Sequence, residues 1–260
     1  MLIDTHAHIM FPEFDEDRDE VIQRAKDAGL KAIVNVGCGV DVSAKSVEMA
    51  DGEFLYATVG LHPYDASELS EDLMEEWEEL ILKDFQDNAR LRRVVAIGET
   101  GLDYFKGKVD PEKQKESFRA HLELAKKIGL PVIVHNRDAD EDTLELLLQF
   151  PDVRAVFHCY GSDLEFARRV WGVGYVTSFT GIITYPSAVA LREVVKEAPM
   201  DQFMVETDCP YLAPQAFRGK RNEPSYVVEV AKMIAEVKGL SYEKISQVST
   251  ANAEKFFNFG

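Results

Sequence analysis

Cysteine is scarce in this chain, three among 260 residues: Cys38, Cys159 and Cys209. An odd number without CxxC spacing excludes a disulfide framework and a structural zinc knot, and it suits a reducing compartment. Long hydrophobic runs are missing too. No apolar stretch reaches about 18 residues, and no basic segment leads into an apolar one near the N-terminus, so neither a membrane span nor an export signal is expected. A cytoplasmic location is the expectation. Positive charge is in short supply: 29 Lys plus Arg stand against 46 Asp plus Glu, a formal net charge of -17. Such a surface repels polyanions and disfavours sequence-independent coating of DNA. It leaves room for an enzyme that holds nucleic acid only at a metal-centred site, where bound cations reverse the local field. The glycine signatures GxGxxG and GxxxxGK[ST] are absent, which removes the main support for a dinucleotide or P-loop fold.

What is present is a steady alternation. The hydrophobic share of 46% and charged share of 29% are those of a globular chain. Short apolar runs at 2–4, 32–36, 54–59, 94–97, 131–134, 153–157, 175–179 and 202–206 read as strands, mostly buried on both faces as in parallel sheets. Amphipathic stretches at 17–28, 42–50, 70–88, 111–128, 139–149, 163–171, 187–197, 224–238 and 242–257 read as helices. Asp110-Pro111 offers an N-cap followed by proline at the first helical position, Asp138 with Glu141 has capping-box spacing, and Gly29, Gly129 and Gly239, each followed by leucine, suit Schellman ends. Eight strand–helix units, no linker between them, and a length near the roughly 250 residues typical of the fold predict one (β/α)₈ TIM-barrel domain over 1–260.

Five of the six histidines, His6, His8, His62, His135 and His158, fall at or just beyond strand ends, and only His121 sits mid-helix. Glu99 and Asp208 join them. In a parallel barrel these ends converge on one mouth, so residues far apart in sequence can share a site. His6 and His8, at i and i+2 on a strand, present both imidazoles on one face. Together His6, His8, Glu99, His135, His158 and Asp208 offer four nitrogen and two carboxylate ligands, enough for two divalent cations sharing a bridging carboxylate. Without cations, the carboxylates gathered there would need other partners.

The ordered segments DTHAH (4–8), GLHP (60–63), GETGLDY (98–104), PVIVHNRDADE (131–141) and MVETDCP (204–210), with FRGKRNEP (217–224) after the final strand, resemble the TatD family of metal-dependent deoxyribonucleases, within the amidohydrolase-like metallo-hydrolases. The similarity runs along essentially the whole chain. It implies that His6, His8 and Asp208 bind one metal and His135 and His158 the other, with Glu99 shared. Where many amidohydrolase-like relatives use a carboxylated lysine, this chain has Glu99. Met10 departs from the Asp or Asn often found in the family, and is expected to alter the surroundings of the site rather than its ligands. The resemblance implies hydrolysis of DNA phosphodiesters from an exposed 3′ end; the chemistry of the donor set predicts a water activated at two metals with Asp208 taking its proton, and single-stranded ends are the expected substrate.

Metal identity stays open among Mg, Mn, Zn, Co and Ni, although four histidines make a purely Mg site less natural. Two cations, four neutral histidines and two carboxylates sum to about +2, suiting a phosphate-bearing substrate. His62 either hydrogen-bonds a phosphate or holds the loop before Pro63. Arg218, Lys220 and Arg221 either contact phosphate, with Arg137, or belong to a solvated loop. Tyr104, Phe105, Tyr160 and Tyr211 are candidates for stacking on a base. Asp103 and Glu206 are expected to orient histidines or loops, Cys209 to stand by, and Trp77 and Trp171 to pack. Two rival readings remain: a hydrolase of the same chemistry acting on an amide, lactone, aminoacyl ester or small phosphoester, and a non-catalytic metal-containing partner protein in DNA repair or quality control. Oligomeric state is not legible, and a monomer is compatible with the sequence.

Overall fold

The computed structural model describes residues 1–87, 92–105, 107 and 109–259. Eight strands alternate with helices: β1 (Leu2–Ala7), α1 (Arg18–Asp27), β2 (Leu30–Asn35), α2 (Val40–Met49), β3 (Leu55–Val59), α3 (Glu71–Asp87), β4 (Val94–Asp103), α4 (Pro111–Ile128), β5 (Val132–Arg137), α5 (Asp140–Leu148), β6 (Ala155–Phe157), α6 (Leu164–Gly172), β7 (Val176–Phe179), α7 (Val189–Glu197), β8 (Phe203–Val205), α8 (Val227–Lys238) and α9 (Tyr242–Phe257). The strands lie in chain order within one eight-stranded sheet, the (β/α)₈ arrangement expected from the alternation. Among the described residues, no helix is long and apolar enough to cross a membrane.

The chain divides into two compact units, residues 1–35 with 159–255, and residues 36–158 with 256–260. In the first, β1 pairs in parallel with β2, β7 with β8, and Ala7 bridges to Cys209 beyond the end of β8. Ile3, Ile33, Phe179 and Phe203 from the strands and Val230 and Ile234 from α8 are buried in this unit. The second holds the parallel pairs β3–β4, β4–β5 and β5–β6. Ile97, Val132 and Phe157 of its strands and Phe118 and Leu122 of α4 are fully or almost fully buried there. Each such side chain removed from water contributes about 1.5–3 kcal/mol, which is what holds helix to sheet.

The helix ends follow the chemistry of their residues. Asp110 accepts from the Glu112 N–H at 3.0 Å with Pro111 beginning α4, and Gly129 ends it in the left-handed region, where Leu130 N–H reaches back to Ala125 O at 3.1 Å. Gly239 and Leu240 close α8 in the same way. The expected capping box at Asp138 and Glu141 is not formed. Ala139 occupies the N-cap of α5 and no side chain caps it, while Asp138 itself has φ 55°. The helix expected over 70–88 is observed over Glu71–Asp87, and residue 88 lies outside the described residues. The stretch expected as helix from 224 opens with a 3₁₀ turn, Pro224–Tyr226, before α8 begins.

The largest difference lies in β4. Its apolar run ends at Ile97, yet the strand continues to Asp103 and is buried throughout. Pairing with β5 breaks register between Ile97 and Thr100, then resumes with Thr100 beside Val134 and continues through Gly101 beside His135 to Asp103 beside Arg137. The irregularity falls on Gly98 and Glu99, where an interrupted ladder re-aims a side chain. Gly101 has φ 143°, and a Cβ there would collide with the His135 carbonyl oxygen, so only glycine allows this approach of β4 to β5.

Candidate metal centre

In the first unit β1 ends at the residues that matter. His6 is fully buried and His8 nearly so, and their Nε2 atoms stand 3.1 Å apart. Asp208 Oδ1 lies 3.7 Å from His6 Nε2 and 3.4 Å from His8 Nε2. Three donor atoms from two segments about two hundred residues apart thus form one triangle. Asp208 takes φ 57°, a conformation that costs a non-glycine residue of order 1 kcal/mol and persists only when its surroundings impose it. The surroundings are explicit. Asp208 N–H donates to His6 O at 2.8 Å, the neighbouring Thr207 donates through its N–H and hydroxyl to the carboxylate of Asp4 at 2.9 and 2.6 Å, and Asn222 Nδ2 donates to Thr207 O at 2.9 Å and Tyr211 O at 2.6 Å. Burial pushes the Asp4 carboxyl up to about 8, against the Thr207 and His6 donors that favour its charged form.

The second unit presents a matching triangle. Glu99 Oε1 is 2.7 Å from His135 Nδ1 and 2.8 Å from His158 Nε2, and these two nitrogens are 3.4 Å apart. On its far side, His135 Nε2 stands 3.0 Å from Asp103 Oδ2. A proton held there by the carboxylate leaves Nδ1 as the ligand atom, the usual way an outer carboxylate orients a metal-binding histidine. Burial opposes the charged form of His135, but Asp103 and Glu99 outweigh it and raise its pKa. Burial likewise works against the Asp103 carboxylate, and its bonds to His135 and to the Phe105 N–H bring it below the usual range.

The chemistry and spacing of the donor set test whether cations fit. Ligands about 2.1 Å from a divalent ion stand about 3.0 Å apart at octahedral corners and about 3.4 Å apart at tetrahedral ones. The edges of the first triangle, 3.1, 3.4 and 3.7 Å, and of the second, 2.7, 2.8 and 3.4 Å, bracket those values. Each triangle offers two imidazole nitrogens and one carboxylate oxygen, a chemistry that suits first-row divalent ions. Both clusters fit a metal.

Around them, the remaining expected residues divide. His62 accepts the Tyr64 N–H on Nδ1 at 3.1 Å, which caps the 3₁₀ turn Pro63–Glu68 and leaves Nε2 as the protonated nitrogen, 3.8 Å from Glu99 Oε1. Burial, partly offset by Glu99, lowers its pKa to about 4, so the ring is a neutral donor at pH 7. Glu206 accepts from Cys159 N–H at 2.5 Å and Ser178 Oγ at 2.6 Å, fixing the residue after His158, which has φ 44°. Cys209 is buried and its thiol is pushed well above the usual range by that burial, so it stays protonated and inert. Trp77 and Trp171 are buried in helices. Met10 is buried within a loop whose Ile9 and Phe11 carbonyls accept from Arg18.

Arg221 is already committed. Its guanidinium donates to Asp17 Oδ2 at 2.7 Å and to Glu13 O, and it covers the Phe14 ring at 4.4 Å. Arg218 lies over Tyr185 at 4.3 Å and Arg137 over Phe105 at 3.7 Å. Of the proposed stacking aromatics, Tyr104 spends its hydroxyl on Asp142 and Tyr160 is buried, whereas Phe105 and Tyr211 are 51% and 52% exposed.

Several supporting residues escape sequence reading. In FRGKRNEP the basic residues draw attention, yet Asn222 clamps the Asp208 loop and buried Glu223 takes Arg24 at 2.7 Å. Helix α4 supplies two more. Gln114 accepts Asp103 N–H at 2.7 Å and donates to Asp103 O at 2.9 Å, while His121, seven residues on and along the same face, accepts Leu61 N–H on Nε2 at 3.0 Å and bonds Ser117 O through Nδ1 at 2.7 Å. A buried polar residue on an otherwise apolar helix face is the signal that would have found both.

Comparison with known proteins agrees with this chemistry. A family model described as TatD related DNase matches residues 3–258. The chain is 42% identical over 260 residues to an uncharacterized metal-dependent hydrolase, YabD, of Bacillus subtilis, covering 99% of each chain. It is 32% identical over 267 residues to a protein named 3'-5' ssDNA/RNA exonuclease TatD from Pectobacterium parmentieri, covering 98% of this chain and 99% of that one. The solved structure of YJJV, a TatD homolog from Escherichia coli, superposes with a TM-score of 0.91 at 31% identity, covering 100% of this chain and 98% of that one.

Proposed function

We propose, from the premise that the chain belongs to the TatD-related DNase family and is a metal-dependent hydrolase acting on ester bonds, that it cleaves phosphodiester bonds of single-stranded nucleic acid, DNA foremost, inward from a 3′ end. The observation that carries the reading is the doubled donor set, two imidazoles and a carboxylate within 3.7 Å in one unit and within 3.4 Å in the other. His6, His8 and Asp208 would hold one divalent cation, and Glu99, His135 and His158 a second, with Glu99 assigned to both on the family's pattern. When bound, two such ions lower the pKa of a water and offset charge on the phosphodiester oxygens.

The chain's own groups do the rest. Asp208 accepts the proton of the attacking water. Neutral His62 donates through Nε2 to a phosphate oxygen, Arg137 and Arg218 add charge-assisted donors, and Asp103 keeps the His135 proton on Nε2. The exonuclease named among the relatives supports the substrate class. Three cysteines that form no disulfide among the described residues suit a cytoplasmic setting, where such an enzyme would meet nucleic-acid ends.

The test is reconstitution. Metal-stripped protein is loaded separately with Mg, Mn, Zn, Co or Ni and offered single-stranded oligonucleotides labelled at either end, beside an amide, a lactone, an aminoacyl ester and a small phosphoester. Stepwise shortening from the 3′ end with two ions per chain is expected. Turnover of another panel member alone, or full occupancy with no turnover, overturns the reading. Asp208→Asn is expected to lower kcat by about a hundredfold or more. Full activity with both ions retained would remove Asp208 as the proton acceptor, and Glu99→Gln tests sharing by whether one ion or both are lost.

A further inference from the structure

Beside the second donor triangle stands a feature that metal binding does not use. Phe105, two residues beyond the end of β4, leaves half its surface in water, while the Arg137 guanidinium sits 3.7 Å from its ring centroid. Single exposed apolar side chains are ordinary on any surface and mean little alone. This one is held in place. Its N–H donates to Asp103 Oδ1 at 3.0 Å, the preceding Tyr104 N–H donates to Arg137 O at 3.0 Å, and the Tyr104 hydroxyl donates to Asp142 at 2.8 Å, where Lys115 also binds at 2.9 Å. Asp103 is the hinge of the arrangement: one oxygen holds the Phe105 backbone and the other holds His135, a ligand in the triangle. The backbone that carries the aromatic ring is therefore tied to the His135 imidazole through a single carboxylate, and the ring itself is covered by Arg137.

We propose that Phe105 and Arg137 form a nucleobase platform, on which the base of the nucleotide being released stacks against Phe105 while the guanidinium covers the ring from its other side. This rests on the phosphodiesterase reading and extends it by naming what is recognised: a planar base, of any sequence, at the strand end. Every base has a π-face, so stacking is sequence-tolerant, and a cation over the opposite face polarises the ring. A guanidinium that stacks by its face keeps its edge N–H groups for hydrogen bonds, so Arg137 can meet a phosphate as well. Arg221 could not serve in this way, because Asp17 already takes its charge. The platform also suits a chain of net charge -17, since it binds the end of a polyanion through its uncharged part.

The experiment compares single-stranded DNA ending in an ordinary 3′ nucleotide with the same strand ending in an abasic one, using metal-loaded wild-type protein, Phe105→Leu, Phe105→Trp and Arg137→Met. The preference of kcat/KM for the base-bearing end is expected to fall about tenfold in Phe105→Leu, chiefly through KM, and to be restored in Phe105→Trp. A 2-aminopurine at the 3′ end is expected to be quenched on binding wild type and to stay bright with Phe105→Leu, and Arg137→Met is expected to reduce the quench. Circular dichroism and metal content check that each variant is folded and loaded. Wild-type cleavage of both ends with equal KM, or a Phe105→Leu effect of the same size on both, overturns the platform alone. Wild-type protein that cleaves neither strand overturns the platform and the phosphodiesterase reading together.

Discussion

His121 shows how a buried histidine can serve architecture rather than chemistry. It donates to Ser117 O, accepts from Leu61 N–H and is fully buried beside Trp77, and burial holds its pKa down at about 4. The unfolded chain binds that proton near pH 6.5, so the contribution of neutral His121 is complete above pH 6.5 and is lost as the pH falls toward 4, about 3 kcal/mol over the window. His121→Gln is expected to flatten that part of the acid limb, read as the difference between wild-type and variant urea midpoints from pH 7 to pH 4. At this scale the residues that gather into the two donor triangles were legible, because histidine and carboxylate are rare in apolar strands and mark themselves when they recur at strand ends. Gln114 and Asn222 were not. A neutral amide leaves no charge signature, and its role depends on which backbone groups the fold brings before it.

For the elements, the alternation of period and composition was enough to locate all eight strands, yet it misjudged where β4 stops. The apolar run ends at Ile97, and what extends the strand to Asp103 is ladder bonding to β5 rather than side-chain polarity. The same reliance on local pattern supplied a capping box at Asp138 that the backbone does not form, since Asp138 sits at φ 55° and cannot occupy an N-cap. The two glycines of GETGLDY are explained only by proximity: at Gly98 a Cβ would strike the backbone of Ile133, and at Gly101 that of His135. Gly101→Ala is therefore expected to push β5 away and dislodge His135, lowering stability by about 2 kcal/mol or more and weakening one metal site while sparing the other. Isothermal titration with Mn against Gly101→Ala would check this, and two unperturbed sites would contradict it.

At the scale of the molecule, a net charge of -17 together with the proposed holding of substrate at the two donor triangles makes a specific demand on salt. If only one or two phosphates are engaged, log(1/KM) should fall with log[salt] with a slope of about -1, far shallower than for a protein that coats nucleic acid. A steep slope would mean that the chain grips a longer stretch. Metal binding should also register in thermal unfolding: ions at a hundredfold their Kd add about 2.7 kcal/mol per site, or roughly 5 °C each for a chain of this size. The expectation of one domain over 1–260 requires that this unfolding be a single calorimetric transition, and two resolved transitions would make the two compact units domains in their own right. Helix α4 bears on how openings are distributed. Because the amide protons of Leu61 and Asp103 are both held by side chains on that one helix, His121 and Gln114, neither can trade with deuterium from solvent until α4 lets go. Two protons more than forty residues apart should then exchange with one shared protection factor, and a loosening of the helix would be heard at both places at once.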